Sequence, residues 1–219
     1  MNTQTIMTRL GGMLLAVGIV GAATGAEPVY RNDFEKTEVG KAPDDFLVID
    51  GQFAVREHDG NRLLELPGAP LESFGFLMGP AQKEGLVVSG RVQGTSRGRK
   101  YPTFAVSLNS VGGYRLRVAP AKKAVEVVKG DVPLASVPFE WKSGAWTWLK
   151  LQVRKAGDGV WKVEGKAWLE GEREPGNWMI TWDEKEEPAP GRPGAWGSPF
   201  SGTPIWYDDL AVTAVEAER

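Results

Sequence analysis

Cysteine is absent from this 219-residue chain, and histidine occurs once, at His58. No disulfide can staple the fold, no thiolate can ligate a metal or attack a substrate, and a multi-histidine zinc site is excluded. A Ser-His-Asp triad would rest on a single histidine in a turn-like setting. A strong charge of either sign is also missing, since 26 basic residues face 28 acidic ones for a net of -2. That balance argues against a nucleic-acid partner; the small basic group Arg97, Arg99 and Lys100 lies beside Gly94 and Gly98 and reads as a solvated loop. Helical periodicity beyond two turns is lacking, and no glycine-rich loop opens a helix that could hold phosphate.

Long apolar runs are scarce too. The main one, Met13 to Val20, follows the cation Arg9 and precedes Gly21-Ala22-Ala23-Thr24-Gly25-Ala26. This is the order of a secretory signal peptide, with cleavage expected after Ala26. The segment is shorter than the roughly 20 residues a spanning helix needs, so no membrane span is expected after its removal. No cysteine follows it to carry a lipid anchor. The expected organisation is a signal peptide over 1–26 and one domain over 27–219, secreted or periplasmic. Removing 26 residues leaves 193 with a net charge of -3, enough for one core without staples.

What the mature segment has in quantity is short alternating or apolar runs bounded by Gly, Pro, Asn and Asp. Strands are expected at 29–34, 46–49, 52–57, 62–66, 75–78, 85–93, 103–109, 114–118, 124–128, 146–155, 160–169, 178–182 and 206–213. Turns at His58-Asp59-Gly60-Asn61, Ser110-Val111-Gly112-Gly113 and Gly157-Asp158-Gly159 offer residues that tolerate positive φ. So many short strands suit two stacked antiparallel sheets. Residues 183–204, rich in glutamate and proline, read as a long ordered loop.

All nine tryptophans fall between Trp141 and Trp206. Around Gly157-Asp158-Gly159, Thr147, Leu149, Leu151 and Val153 alternate with Trp146, Trp148, Lys150, Gln152 and Arg154; after the turn, Trp161, Val163, Ala167 and Leu169 alternate with Lys162, Glu164, Lys166, Trp168 and Glu170. If Ala156 faces Val160, Trp148 lies opposite Trp168, and the two indoles form a flat aromatic surface ringed by polar groups. A sugar ring could stack there while Lys150, Gln152 and Glu164 address its hydroxyls. The same register opposes Lys150 to Lys166. The competing arrangement covers both indoles with a loop, drawing on Trp178, Trp182 and the proline-rich segment, to make a second small core.

Three stretches carry a family resemblance. The chain opens with Tyr30-Arg31-Asn32-Asp33-Phe34, Gly40, Pro43 and Asp50-Gly51-Gln52-Phe53-Ala54-Val55. Its middle holds Trp146, Leu149, Leu151 and Val153, and it closes with Trp206-Tyr207-Asp208-Asp209-Leu210-Ala211-Val212. This set resembles the concanavalin A-like, laminin-G-like jelly rolls of exported bacterial proteins, related to those of 3-keto-disaccharide hydrolases and glucanases. The resemblance implies an all-β, two-sheet antiparallel jelly-roll sandwich whose first and last strands are neighbours. It also implies a structural calcium ion as an option, with Asp33, Glu35 and Asp209 as ligands by position; acidic strand ends in water are the alternative.

Glu170-Gly171-Glu172-Arg173-Glu174 has the spacing of a jelly-roll glucanase signature in which the outer glutamates are nucleophile and acid/base. Here Gly and Arg intervene and Pro175 follows, which suits a loop better than a catalytic strand. The leading expectation is a non-catalytic carbohydrate-binding domain using Trp148 and Trp168 on a poly- or oligosaccharide without a cofactor. A glycoside hydrolase using Glu170 and Glu174, and a scaffold domain with buried tryptophans, remain alternatives.

Overall fold

A computed structural model describes residues 27–69 and 72–215; the expected signal peptide lies outside the described residues. In chain order the strands begin with β1 (Pro28–Asn32), β2 (Leu47–Asp50), β3 (Ala54–His58), β4 (Asn61–Leu66) and β5 (Phe74–Leu77). They continue with β6 (Leu86–Gln93), β7 (Thr103–Leu108), β8 (Tyr114–Ala119), β9 (Ala124–Lys129) and β10 (Val132–Pro138). The last five are β11 (Trp146–Gly157), β12 (Val160–Leu169), β13 (Ile180–Glu184), β14 (Gly194–Ser198) and β15 (Ile205–Ala214). The one helical turn among the described residues is a 3₁₀ segment at Pro120–Lys122.

Every pairing is antiparallel. One sheet has eight strands in the order β13-β12-β11-β6-β15-β4-β3, with β1 also pairing β15; the other has seven, in the order β10-β9-β8-β7-β14-β5-β2. This is the expected two-sheet jelly-roll sandwich, and its first and last strands are neighbours. Alternation turns Leu149, Leu151, Val88 and Tyr207 of one sheet toward Val106, Leu116, Val127 and Phe76 of the other, all at most 0% exposed. The β3–β4 hairpin uses Asp59 and Gly60, both at positive φ, as that turn sequence requires.

Two strands were missed in the sequence. β10 carries Pro133 and Pro138 and forms a sheet edge, where proline's missing N–H costs no ladder bond. β14 lies inside the segment expected to be a loop, yet it is a fully buried inner strand between β7 and β5. Its glycines explain the misreading: a Cβ on Gly194 would sit 2.3 Å from the Phe76 carbonyl oxygen, and one on Gly197 would sit 2.2 Å from the Tyr207 hydroxyl. Close approach forbids the β-branched side chains by which strands are usually recognised.

Candidate functional site

On β11, Leu149, Leu151 and Val153 enter the core, which sends Trp148, Lys150, Gln152 and Arg154 to the outer face. β12 pairs with it so that Trp148 opposes Trp168, Lys150 opposes Lys166, and Gln152 opposes Glu164. The turn itself differs from expectation. Gly157, rather than Ala156, faces Val160, and a bulge after Lys155 absorbs the extra residue, leaving the register beyond it unchanged.

The two indoles lie on the outer face, half-buried, with ring centroids 6.0 Å apart and planes inclined by 9°. They form an offset stack instead of one flat sheet of aromatic surface. Beside them opens a shallow depression of about 310 Å³ lined by Ser89, Trp148, Lys150, Trp168 and Glu174. Of the nine tryptophans, Trp161 and Trp196 are buried and the other seven are half-buried. Trp182 and Trp141 pack against the main core, so the cluster is divided between structure and surface.

The opposed lysines are held together by Glu174, one of whose oxygens lies 3.0 Å from Lys150 Nζ and 2.7 Å from Lys166 Nζ. Lys166 Nζ also donates to the Pro175 carbonyl at 2.8 Å and sits 4.9 Å over the Trp178 ring. Partial burial pushes the Glu174 carboxyl up, but the Lys166 and Lys150 ammonium groups outweigh this and hold it below the usual carboxylate range. Gln152 and Glu164 need a revised role, because each is 6% exposed. Gln152 Nε2 donates to Glu164 Oε2 at 2.7 Å, and Arg154 Nε donates to the same oxygen at 2.8 Å. Their polar atoms serve one another beneath the surface, which leaves Lys150, Ser89 and Glu174 as the groups beside the indoles.

Glu170, Glu172 and Glu174 lie after β12 in a loop and serve three different partners. Glu170 pairs with Arg91 at 2.6 Å, Glu172 accepts from the Leu169 N–H at 3.2 Å, and Glu174 bridges the lysines. A glycosidase acid needs a raised pKa, opposite in direction to that of Glu174.

Arg91, which the sequence reading passed over, is the hub of the neighbouring surface. Its guanidinium meets Glu170 at 2.6 Å, Asp208 at 2.7 Å and Asp209 at 3.0 Å, and lies 4.9 Å over the Trp146 ring. Asp208 also accepts from Asn61 Nδ2 at 2.9 Å. Alternation would send Asp208 and Asp209 to opposite faces. A register shift in β15, with Asp209 at φ 50°, turns both toward Arg91. The only advance signals were the outward place of Arg91 in the alternation of β6 and the doubled aspartate of β15.

The three calcium candidates have protein partners. Asp33 accepts from the Glu35 N–H at 3.3 Å, Glu35 from the Arg62 N–H at 2.9 Å, and Asp209 lies between Arg91 and Arg31, the latter 3.8 Å away. Among the described residues no group of three His, Cys, Asp or Glu side chains is placed to hold a metal ion. Nor is any described helix long and apolar enough to cross a membrane.

No protein-family model matches the chain, and no curated protein matches it in sequence. Solved structures do resemble it. A carbohydrate-binding module from Bacillus subtilis superposes with a TM-score of 0.53 at 12% identity, over 78% of this chain and 96% of that one. The carbohydrate recognition domain of Emp46p, in its metal-free form, gives 0.59 at 12% identity, over 88% of this chain and all (100%) of that one. A xylan β-1,4-xylosidase from Bacillus halodurans gives 0.58 at 14% identity; 86% of this chain matches, spanning only 40% of the xylosidase. At such identities the likeness is one of fold, shared by binding modules and by part of a much longer enzyme.

Proposed function

We propose that this protein is an exported, non-catalytic carbohydrate-binding domain, and that the stacked Trp148–Trp168 pair forms the platform on which a neutral saccharide rests. The carrying observation is the depression beside two half-buried indoles on the outer face of a sandwich whose fold neighbours include a carbohydrate-binding module and a carbohydrate recognition domain. The C–H face of a pyranose packs on the accessible indole surface, and Lys150, Ser89 and Glu174 supply donors and acceptors around it. Export rests on the signal-peptide pattern of residues 1–26. A glycan array with wild type, Trp148→Ala and Trp168→Ala tests the reading. Binding to a neutral oligosaccharide should fall at least tenfold in each variant while circular dichroism stays unchanged. Undiminished glycan binding in both variants refutes the site. Release of reducing ends by the wild type, lost in Glu170→Gln and Glu174→Gln, refutes the non-catalytic part.

A further inference from the structure

We propose that the opposite sheet carries a second, independent site, a groove that binds a carboxylate-bearing saccharide of the uronate class. Alternation along β7 and β8 buries Phe104, Val106, Leu116 and Val118 and leaves Ala105, Arg115 and Arg117 on the outer face. Trp196 of β14 shares that face because it pairs with Ala105, and on its other side it pairs with Gly75. A Cβ on Gly75 would lie 2.4 Å from the indole, so the ring rests over bare backbone. The Arg115 guanidinium stacks 3.8 Å from the Trp196 ring, and the indole N–H donates to Ser107 Oγ at 3.1 Å. Both groups are therefore held in place before any ligand arrives. Above them lies a groove of about 390 Å³, walled by Tyr101, Thr103, Phe200 and Arg117.

The charges in this groove do not balance. Glu126, 3% exposed, is already shared by Arg117 at 2.7 Å and Lys122 at 2.8 Å, two cations on one carboxylate. Arg117 reaches it through Nε and Nη2, which leaves Nη1 without a partner among the described residues. Among the described residues the one ion-pair partner of Arg115 is Asp131, 3.6 Å away with a side chain 96% exposed, so that pair is strongly screened by water. Burial pushes the Arg115 guanidinium down, the direction expected of a cation short of counter-charge. A carboxylate accepts a charge-assisted N–H bond from a guanidinium, about twice as strong as one to a neutral hydroxyl, which favours an acidic sugar over a neutral one here.

The positive strip continues. Phe200 also borders an adjoining depression that holds Arg97 and Lys100. Those two residues form an ordered turn, each N–H bonding the other's carbonyl at 2.9 and 3.1 Å, and neither side chain has an ion-pair partner among the described residues. This basic group, expected to be a solvated loop, adds two cations beside the groove on the far side of Phe200. Tyr101 and the 39% exposed Phe200 offer flat apolar faces along the way.

The test is calorimetric titration with tetragalacturonate, xylotetraose and a sulfated tetrasaccharide of similar length. Tetragalacturonate should bind the wild type, weaken as salt rises, and bind at least tenfold more weakly to Arg117→Gln and to the Tyr101→Ala/Phe200→Ala double variant. The double variant leaves every ion pair intact, so it keeps the test valid should Arg117→Gln fail to fold. Trp148→Ala/Trp168→Ala should bind tetragalacturonate as the wild type does, which separates this proposal from the neutral-sugar platform. Tetragalacturonate binding that is absent, that survives both groove variants, or that is lost with Trp148 and Trp168 overturns it. So does tighter binding of the sulfated tetrasaccharide.

Discussion

Replacing Glu174 with glutamine removes the single carboxylate that lets two directly opposed lysines share one strand pair. Lys150 and Lys166 face each other in the β11–β12 register, and the Lys166 side chain is only 9% exposed. Glu174 is 41% exposed, so its two ion pairs are partly screened. An exposed pair contributes at most about 1 kcal/mol and breaking a buried one costs about 3–5 kcal/mol, which places Glu174→Gln at about 1.5–3 kcal/mol. For a domain of this size that corresponds to roughly 3–12 °C in melting temperature. The sign of the pH dependence follows from the folded carboxyl lying below its usual range. Its stabilisation is complete above the unfolded value of about 4.3 and is lost as pH falls through the lower folded value. Thermal melts of wild type and variant by circular dichroism at pH 7 and then in steps to pH 3 should show a gap that closes below about pH 4.3. Glu186→Gln is the control: it removes a 3.1 Å pair to Lys129, but Glu186 is 83% exposed and the loss should be slight. A gap of the same size at pH 7 and pH 3, or no gap at pH 7, refutes the bridge.

Gly197→Ala should destabilise by about 1–3 kcal/mol through overpacking, since its Cβ would meet the Tyr207 hydroxyl at 2.2 Å and a Leu66 methyl at 2.9 Å. Gly112→Ala, with nothing within 4 Å of its Cβ, should be neutral or slightly stabilising, and equal melting temperatures for the two variants would contradict the packing of β14. Asp209→Asn should raise the melting temperature at pH 7. Burial, then repulsion from Asp208, pushes the Asp209 carboxyl up against the pull of Arg91 and Arg31, so its ionised form costs stability above the unfolded value of about 3.9. Asparagine also tolerates the positive φ found there; the gain should vanish in melts below that pH, and a loss at pH 7 contradicts the reasoning.

The outer face of the β11–β12 hairpin was legible because period-2 alternation decides which side chains leave the core; the register Trp148–Trp168, expected from Ala156 facing Val160, arises instead from Gly157 facing Val160 with a bulge after Lys155 that the sequence does not announce. What alternation cannot supply is depth. Gln152 and Glu164 are polar residues on the correct face, yet they pair beneath the surface, and whether such a pair is covered depends on chain that is distant in sequence. The opposition of Lys150 and Lys166 is relieved by a third residue, Glu174, which bridges the two from the loop after β12. Arg91 was invisible for a similar reason: its partners Glu170, Asp208 and Asp209 are separated from it by 79 to 118 positions and meet only across β6, β15 and the loop after β12. β14 escaped because its defining requirement is smallness.

The pairing of Pro28 with Thr213 brings the beginning and the end of the described fold to one corner. Thr213 also faces Val87, four positions along β6 from Arg91, the partner of Trp148, so this corner is offset from Trp148 by roughly 13 Å along the strand direction and by two strands across the sheet. Both ends of the described fold therefore belong to the sheet that carries Trp148 and Trp168, whereas Arg115, Arg117 and Trp196 lie on the other sheet, so a tag fused at either end meets the first sheet and not the second.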